Sequence, residues 1–133
     1  MDDFTPADRI ELHELAARYG NAIDSRNWDR LRVVFTQDCR YELVSFGRLN
    51  TVLRGIGALR TYMARSAEHP IAHHVTNVEV DASGDPVRMF SLVIATLPGG
   101  SASSAQYQDV VVRTPEGWRI SERVVTLRRE PRR

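Results

Sequence analysis

The sequence predicts one α+β domain, on three observations. Apolar residues recur at spacings of three and four in segments of the first half, they alternate with period two after Pro70, and short turn-forming stretches separate the alternating runs. Helices first and a long antiparallel meander after them put the helices against one side of a strongly curved sheet. No internal repeat or second domain is visible, so 1–133 reads as a single domain with a basic tail from about 128.

The first helix opens at "TPADRI": Thr5 is the expected N-cap, Pro6 occupies the first helical position, and Asp8 stands three residues after the cap. Ile10, Leu12, Leu15, Ala16, Tyr19, Ala22 and Ile23 then form one apolar stripe. A shorter helix is expected through "NWDRLRVVF", capped by Asn27, with Trp28, Leu31, Val34 and Phe35 inward. "RYELVSF" and "RLNTVLR" read as strands around a turn at Gly47, and "GIGALRTYMARS" as a third helix. After Pro70 come four strands, "IAHHVTNVEVD", "PVRMFSLVIAT", "SAQYQDVVVRT" and "GWRISERVVTLR", joined by "ASGD", "LPGGSAS" and "PEG".

Composition excludes several function classes. Eighteen basic and 17 acidic residues leave a net charge of +1, so no global field recruits nucleic acid or an anionic membrane. All the basic residues are arginine, which removes a Schiff-base lysine and a Walker-type phosphate loop, both of which require an ε-ammonium group. Cys39 is alone, so no internal disulfide forms, a cytoplasmic location is expected, and a buried apolar role suits the thiol. The acidic "MDDFTPADRI" is no signal peptide, and no apolar run reaches membrane-spanning length. "GIG" lacks the third glycine and preceding strand of a dinucleotide fingerprint, and the spacing of His13, His69, His73 and His74 matches no compact metal set. Neither metal nor organic cofactor is implied.

Two histidines lie side by side in "AHHVTNVEV", and adjacent strand residues point to opposite faces. Strict alternation groups His73 with Val75, Asn77 and Glu79, and His74 with Thr76, Val78 and Val80; the second set is the more apolar. His73 is therefore expected at a polar-lined cavity or solvent, and His74 at a packed or interface position. Asp24 ends the first helix, where a carboxylate meets the negative end of the helix dipole. Two readings stay open: it caps the following turn by accepting backbone N–H groups, or it accepts from a histidine ring and leaves the other ring nitrogen as a general base. Tyr19, taken alone, reads as core.

The stretches "YGNAIDSRNWDRLRVVFTQDCRYEL", "HHVTN" and "YQDVVVRTPEGWRISERVV" together resemble the SnoaL-like branch of the nuclear transport factor 2-like superfamily. That branch includes scytalone dehydratase, a bile-acid dehydratase and hexachlorocyclohexane dehydrochlorinase. The resemblance implies a cone-shaped α+β barrel, three N-terminal helices packed in a curved, mostly antiparallel sheet, with a deep pocket at the open end. In the family's lyases an aspartate ending the first helix orients a strand histidine that removes a substrate proton, without metal or organic cofactor. The matching positions are Asp24 and His73, the latter four residues before Asn77.

The resemblance further implies that Tyr19 and Tyr41 donate hydrogen bonds to the substrate, that Trp28 walls the pocket, and that Arg123 lies near it. Tyr19 stands where the dehydrochlorinase has a lysine, which points toward dehydration or isomerisation of a small apolar polyketide-, steroid- or aromatic-type molecule. The superfamily also holds non-catalytic members, so a ligand-binding or dioxygenase-small-subunit-like protein is the alternative. The Asp-Arg-Asp arrangement of the fold's epoxide hydrolases is not assembled from these motifs. "DVVVR" and "RVVTL" carry apolar residues on both faces, from which a homodimer or small homo-oligomer is expected.

Overall fold

A computed structural model describes residues 3–45, 47–65 and 69–128. Helix α1 (Pro6–Asp24) begins as its sequence demands: the Thr5 hydroxyl accepts from the Asp8 N–H at 3.2 Å, and the Asp8 carboxylate accepts from the Thr5 N–H at 2.8 Å. Its stripe, including Leu12, Leu15, Ala16, Tyr19 and Ile23, is buried in the hollow of the sheet.

The segment after α1 is a short 3-10 helix, Trp28–Val33, rather than an α-helix, and Asn27 makes no side-chain cap. Phe35 belongs to the strand beyond this turn, because its neighbour Val34 already accepts from the Ile120 N–H across the sheet at 2.8 Å. Strands β1 (Phe35–Ser45) and β2 (Arg48–Arg54) then precede helix α2 (Ile56–Arg65). The expectation of three N-terminal helices is corrected: α1 alone is an N-terminal α-helix, and α2 comes only after the first hairpin. The remaining strands are β3 (Ala72–Asp81), β4 (Val87–Thr96), β5 (Ala102–Thr114) and β6 (Gly117–Arg128). Residues 129–133 of the basic tail lie outside the described residues.

All six strands form one sheet in the order β2-β1-β6-β5-β4-β3, antiparallel except for β1 beside β6. That arrangement is the curved, mostly antiparallel α+β fold the sequence predicts. Two bulges bend it. One falls in β3, where Asn77 has φ 54 and the partner register with β4 slips between Thr76 and Glu79. The other falls in β6 at Ser121, where register with β5 slips between Val110 and Val111.

The β3 bulge overturns the strict alternation read from the sequence. Val78 and Val80 pack with Val75 against the core, on the side of His73, because the extra residue at Asn77 reverses the facing of the rest of the strand. His74 is exposed on the outer face beside Ile94, itself 45% exposed, and not in a packed position. Cys39 takes the apolar position expected of it, and burial pushes its thiol up to about 11.

At the narrow end the Trp118 indole N–H donates to Asp8 at 3.0 Å and its backbone N–H donates to Glu11 at 2.6 Å. These bonds tie β6 to the first turns of α1, leaving the cone open at the end where α1 stops. No helix among the described residues is long and apolar enough to cross a membrane.

Candidate functional site

Gly20 brings α1 against β3. A Cβ at that position would stand 3.4 Å from the His73 carbonyl oxygen and 3.5 Å from Val75, so a larger side chain has no room there. With the helix this close, its last residue reaches the strand. Asp24 Oδ1 lies 2.7 Å from His73 Nδ1, and Oδ2 accepts from the His73 backbone N–H at 2.9 Å. β3 is an edge strand, so part of its backbone lacks a ladder partner, and the carboxylate satisfies one such donor.

Asp24 thus spends both oxygens on one residue and does not cap the turn after α1. That turn closes without it: Ser25 donates to the Asn21 and Ala22 carbonyls, and Arg26, at φ 57, donates to the Ile23 carbonyl. A carboxylate accepts, so the neutral His73 ring carries its hydrogen on Nδ1 and offers a bare lone pair at Nε2. The His73 side chain is 9% exposed and that of Asp24 27%.

The His73 ring helps line a cavity of about 170 Å³ at the open end of the cone, together with Tyr19, Tyr41, Tyr107, Met63 and His69. The rest of its wall is chiefly aliphatic, drawn from β1, β4, β5 and β6, with Tyr62 of α2, Pro70 and Ser103 completing it. A larger concavity of about 830 Å³ lies outside α1, but all its lining residues fall within 4–17, so nothing faces it from a second element. Convergent polar groups single out the smaller one. Among the described residues no three His, Cys, Asp or Glu side chains gather as a metal-binding group.

The tyrosines are packed edge to face. The Tyr19 ring meets His73 at 6.5 Å and Tyr107 at 5.6 Å, and the Tyr19 and Tyr41 hydroxyls lie 3.3 Å apart. Burial holds Tyr41 and Tyr107 well above the usual phenol range, so both stay protonated and can donate.

Arg123 stands behind this layer and does not line the cavity. It is fully buried, its guanidinium 4.3 Å from the Tyr19 ring centre and 4.0 Å from that of Tyr107. It donates to Asp109 through Nε at 2.7 Å and Nη2 at 2.9 Å, while Nη1 has no partner among the described residues. Trp28 also stands behind the wall, stacked on His69 at 5.5 Å and tilted 34°. Of the six positions singled out in the sequence, His73, Tyr19 and Tyr41 line the cavity, Asp24 holds His73, and Arg123 and Trp28 support the lining.

Three residues escaped the sequence reading. Tyr107 shares a face with the buried Ala105, Asp109 and Val111, and its inward direction was legible in that alternation. Asp109 was hidden because its facing partner depends on a bulge. His69 stands outside any periodic run, and nothing local marked it.

The curved α+β cone that carries this pair is shared with proteins already known. A model of the SnoaL-like domain matches residues 5–124, and the chain belongs to that family. The fold is the cystatin-like, nuclear transport factor 2-like one. An uncharacterized protein of Mycobacterium tuberculosis is 33% identical over 129 residues, covering 90% of this chain and 85% of its own. Two solved structures from Novosphingobium aromaticivorans superpose well. A candidate aromatic ring hydroxylase has a TM-score of 0.79 at 24% identity, covering 96% of this chain and 94% of its own. A candidate scytalone dehydratase has a TM-score of 0.75 at 19% identity, covering 97% and 89%.

Proposed function

We propose that this protein is a cofactor-independent lyase or isomerase of the dehydratase type, with His73 as the base that removes a proton from carbon. The observation that carries the reading is the double hold of Asp24 on His73, ring and backbone, at the wall of an apolar cavity. The C–H proton passes to Nε2 and the bonding pair moves toward a carbonyl, making an enolate. Asp24 stabilises the imidazolium so formed, and Tyr19 and Tyr41 donate to the oxygen that gains charge. The pair then returns to carbon: for isomerisation it takes the proton back at another position, and for dehydration it forms C=C as the C–O bond breaks, with the His73 proton leaving in water.

A volume of about 170 Å³ falls below the roughly 300–1,000 Å³ of sites for drug-sized ligands. That favours a one- or two-ring aromatic or polyketide-type substrate over a steroid. The absence of a lysine at position 19 also speaks for loss of water or proton relocation rather than loss of halide.

The test is exchange of the α-hydrogens of α-tetralone for solvent deuterium, monitored by proton NMR. Wild-type protein and His74→Ala are expected to catalyse exchange, and His73→Ala to lose roughly 10²- to 10⁴-fold with an unchanged circular dichroism spectrum. Exchange by His73→Ala at the wild-type rate sinks the assignment. Binding of the ketone by wild-type protein without exchange favours the ligand-binding alternative.

A further inference from the structure

A second cavity, of about 440 Å³, lies beside the turn between β5 and β6, and among the described residues it shares no lining with the one at the mouth. It opens where β1 arches away from β6. Phe35 pairs with Ile120 and Arg40 with Glu122, so β1 takes five steps where β6 takes two. Thr36 and Gln37 of that arch line the cavity, with Arg32 from the 3-10 helix, Ile56 at the start of α2 and Arg119 from β6.

Arg119 is the residue that calls for a ligand. Its side chain is 10% exposed, and among the described residues its guanidinium makes one hydrogen bond, from Nη1 to the Trp118 carbonyl at 2.8 Å. Gly117, at φ 117, leaves the group room, since a Cβ there would stand 3.3 Å from Nη1. The hydrogens on Nε and Nη2 are unspent. Two carboxylates stand near without taking them: Glu11 Oε2 accepts from the Trp118 backbone N–H at 2.6 Å, and Glu116, 86% exposed, lies 4.0 Å from Nη2. A guanidinium this enclosed is costly unless an acceptor meets it.

The rest of the wall suits an anion. The Thr36 hydroxyl is buried and has no partner among the described residues. Arg32 brings a second positive charge, and no acidic residue in the first turn of α2 opposes the positive end of its dipole. Glu116 is the sole acidic residue of the described lining, and its exposure lets it swing aside into solvent. Val33, Phe35, Ile56 and Pro115 add apolar surface, and the volume falls within the roughly 300–1,000 Å³ of small-molecule sites.

We propose that this cavity is a second ligand site, taking a small molecule that carries a carboxylate or phosphate on an apolar body. Arg119 donates through Nε and Nη2 to two oxygens of the anion, which its planar fork matches, while Arg32 adds charge and Thr36 donates its hydroxyl.

The test titrates the ¹⁵N-labelled full chain with benzoate, phenyl phosphate and, as the neutral control, benzyl alcohol. At least one anion is expected to shift the Arg119 Nε–H and Thr36 amide signals saturably, and the tighter of the two names the preferred head group; benzyl alcohol is expected to leave both signals in place. Followed at whichever of these signals each variant retains, Arg119→Met is expected to weaken that anion roughly 10- to 100-fold. Thr36→Val removes a hydroxyl without a partner in the free protein, so it is expected to raise the thermal midpoint while weakening the anion roughly 3- to 10-fold. Should Arg119→Met fail to fold, Thr36→Val carries the test.

Saturable shifts with neither anion, an equal response to benzyl alcohol, or shifts confined to residues of the mouth overturn the inference, as does unchanged affinity in a folded variant. Each of these outcomes leaves the reading of the His73 cavity untouched, because the two sites are separate.

Discussion

Asp109 and Arg123 face each other across β5 and β6 because Ser121 is an extra residue in the ladder. From the turn, Thr114 pairs with Gly117 and Val111 with Ile120, a count that would set Asp109 opposite Glu122. The bulge shifts the register by one, replacing two like charges with a bidentate ion pair that is 0% exposed on both sides.

Breaking that pair from either side leaves a buried charge without its partner. Asp109→Leu and Arg123→Met are each expected to destabilise the fold by about 3–5 kcal/mol, while the double variant Asp109→Leu/Arg123→Met loses much less than the sum of the two. Urea denaturation of the four proteins measures the coupling. Additive losses would mean that the pair acts through something other than mutual charge compensation.

Gly20 sets the distance between α1 and β3. Gly20→Ala adds a Cβ that just touches the His73 carbonyl oxygen at 3.4 Å, while its helix propensity gains up to about 1 kcal/mol, so stability is expected to hold or rise. Gly20→Leu must push the helix away from the strand and is expected to cost about 1–3 kcal/mol. Ring ¹⁵N shifts of His73 should change in the leucine variant and not in the alanine one, because only the former draws Asp24 off the ring.

Stability should respond to acid through His69. The unfolded chain protonates this ring near its ordinary value of about 6.5, whereas burial lowers the value in the folded chain. The unfolded state therefore binds more protons between the two values, and stability falls as pH drops from about 6.5 toward the folded value and is unaffected above. Thermal midpoints of wild-type protein should decline across that window more than those of His69→Gln. At lower pH, Asp8, held down first by the Trp118 indole N–H, and Asp81, held down first by the Ser83 side chain, add their own losses. Their contribution is present above about 3.8 and disappears as pH falls through the folded values.

Adjacent residues control what the sequence determined by itself. The capping box of Thr5 and Asp8, the apolar stripe of α1, the turns flanked by β-branched runs and the inward alternation of Ala105, Tyr107 and Asp109 all arise from preferences acting over a few residues. These suffice for the α+β class, and the matching motifs brought Asp24 and His73 together as a pair. The tertiary structure decided the rest, because it turns on partners distant in the chain. Asn77 and Ser121 look like ordinary strand residues, yet each is a bulge, because a bulge exists only against the strand it faces. That is why Val78 and Val80 share the side of His73, why His74 is outside, and why Arg123 meets Asp109. His69, in a segment without periodicity, lines the cavity only because Arg26, Trp28 and Met63 hold it there.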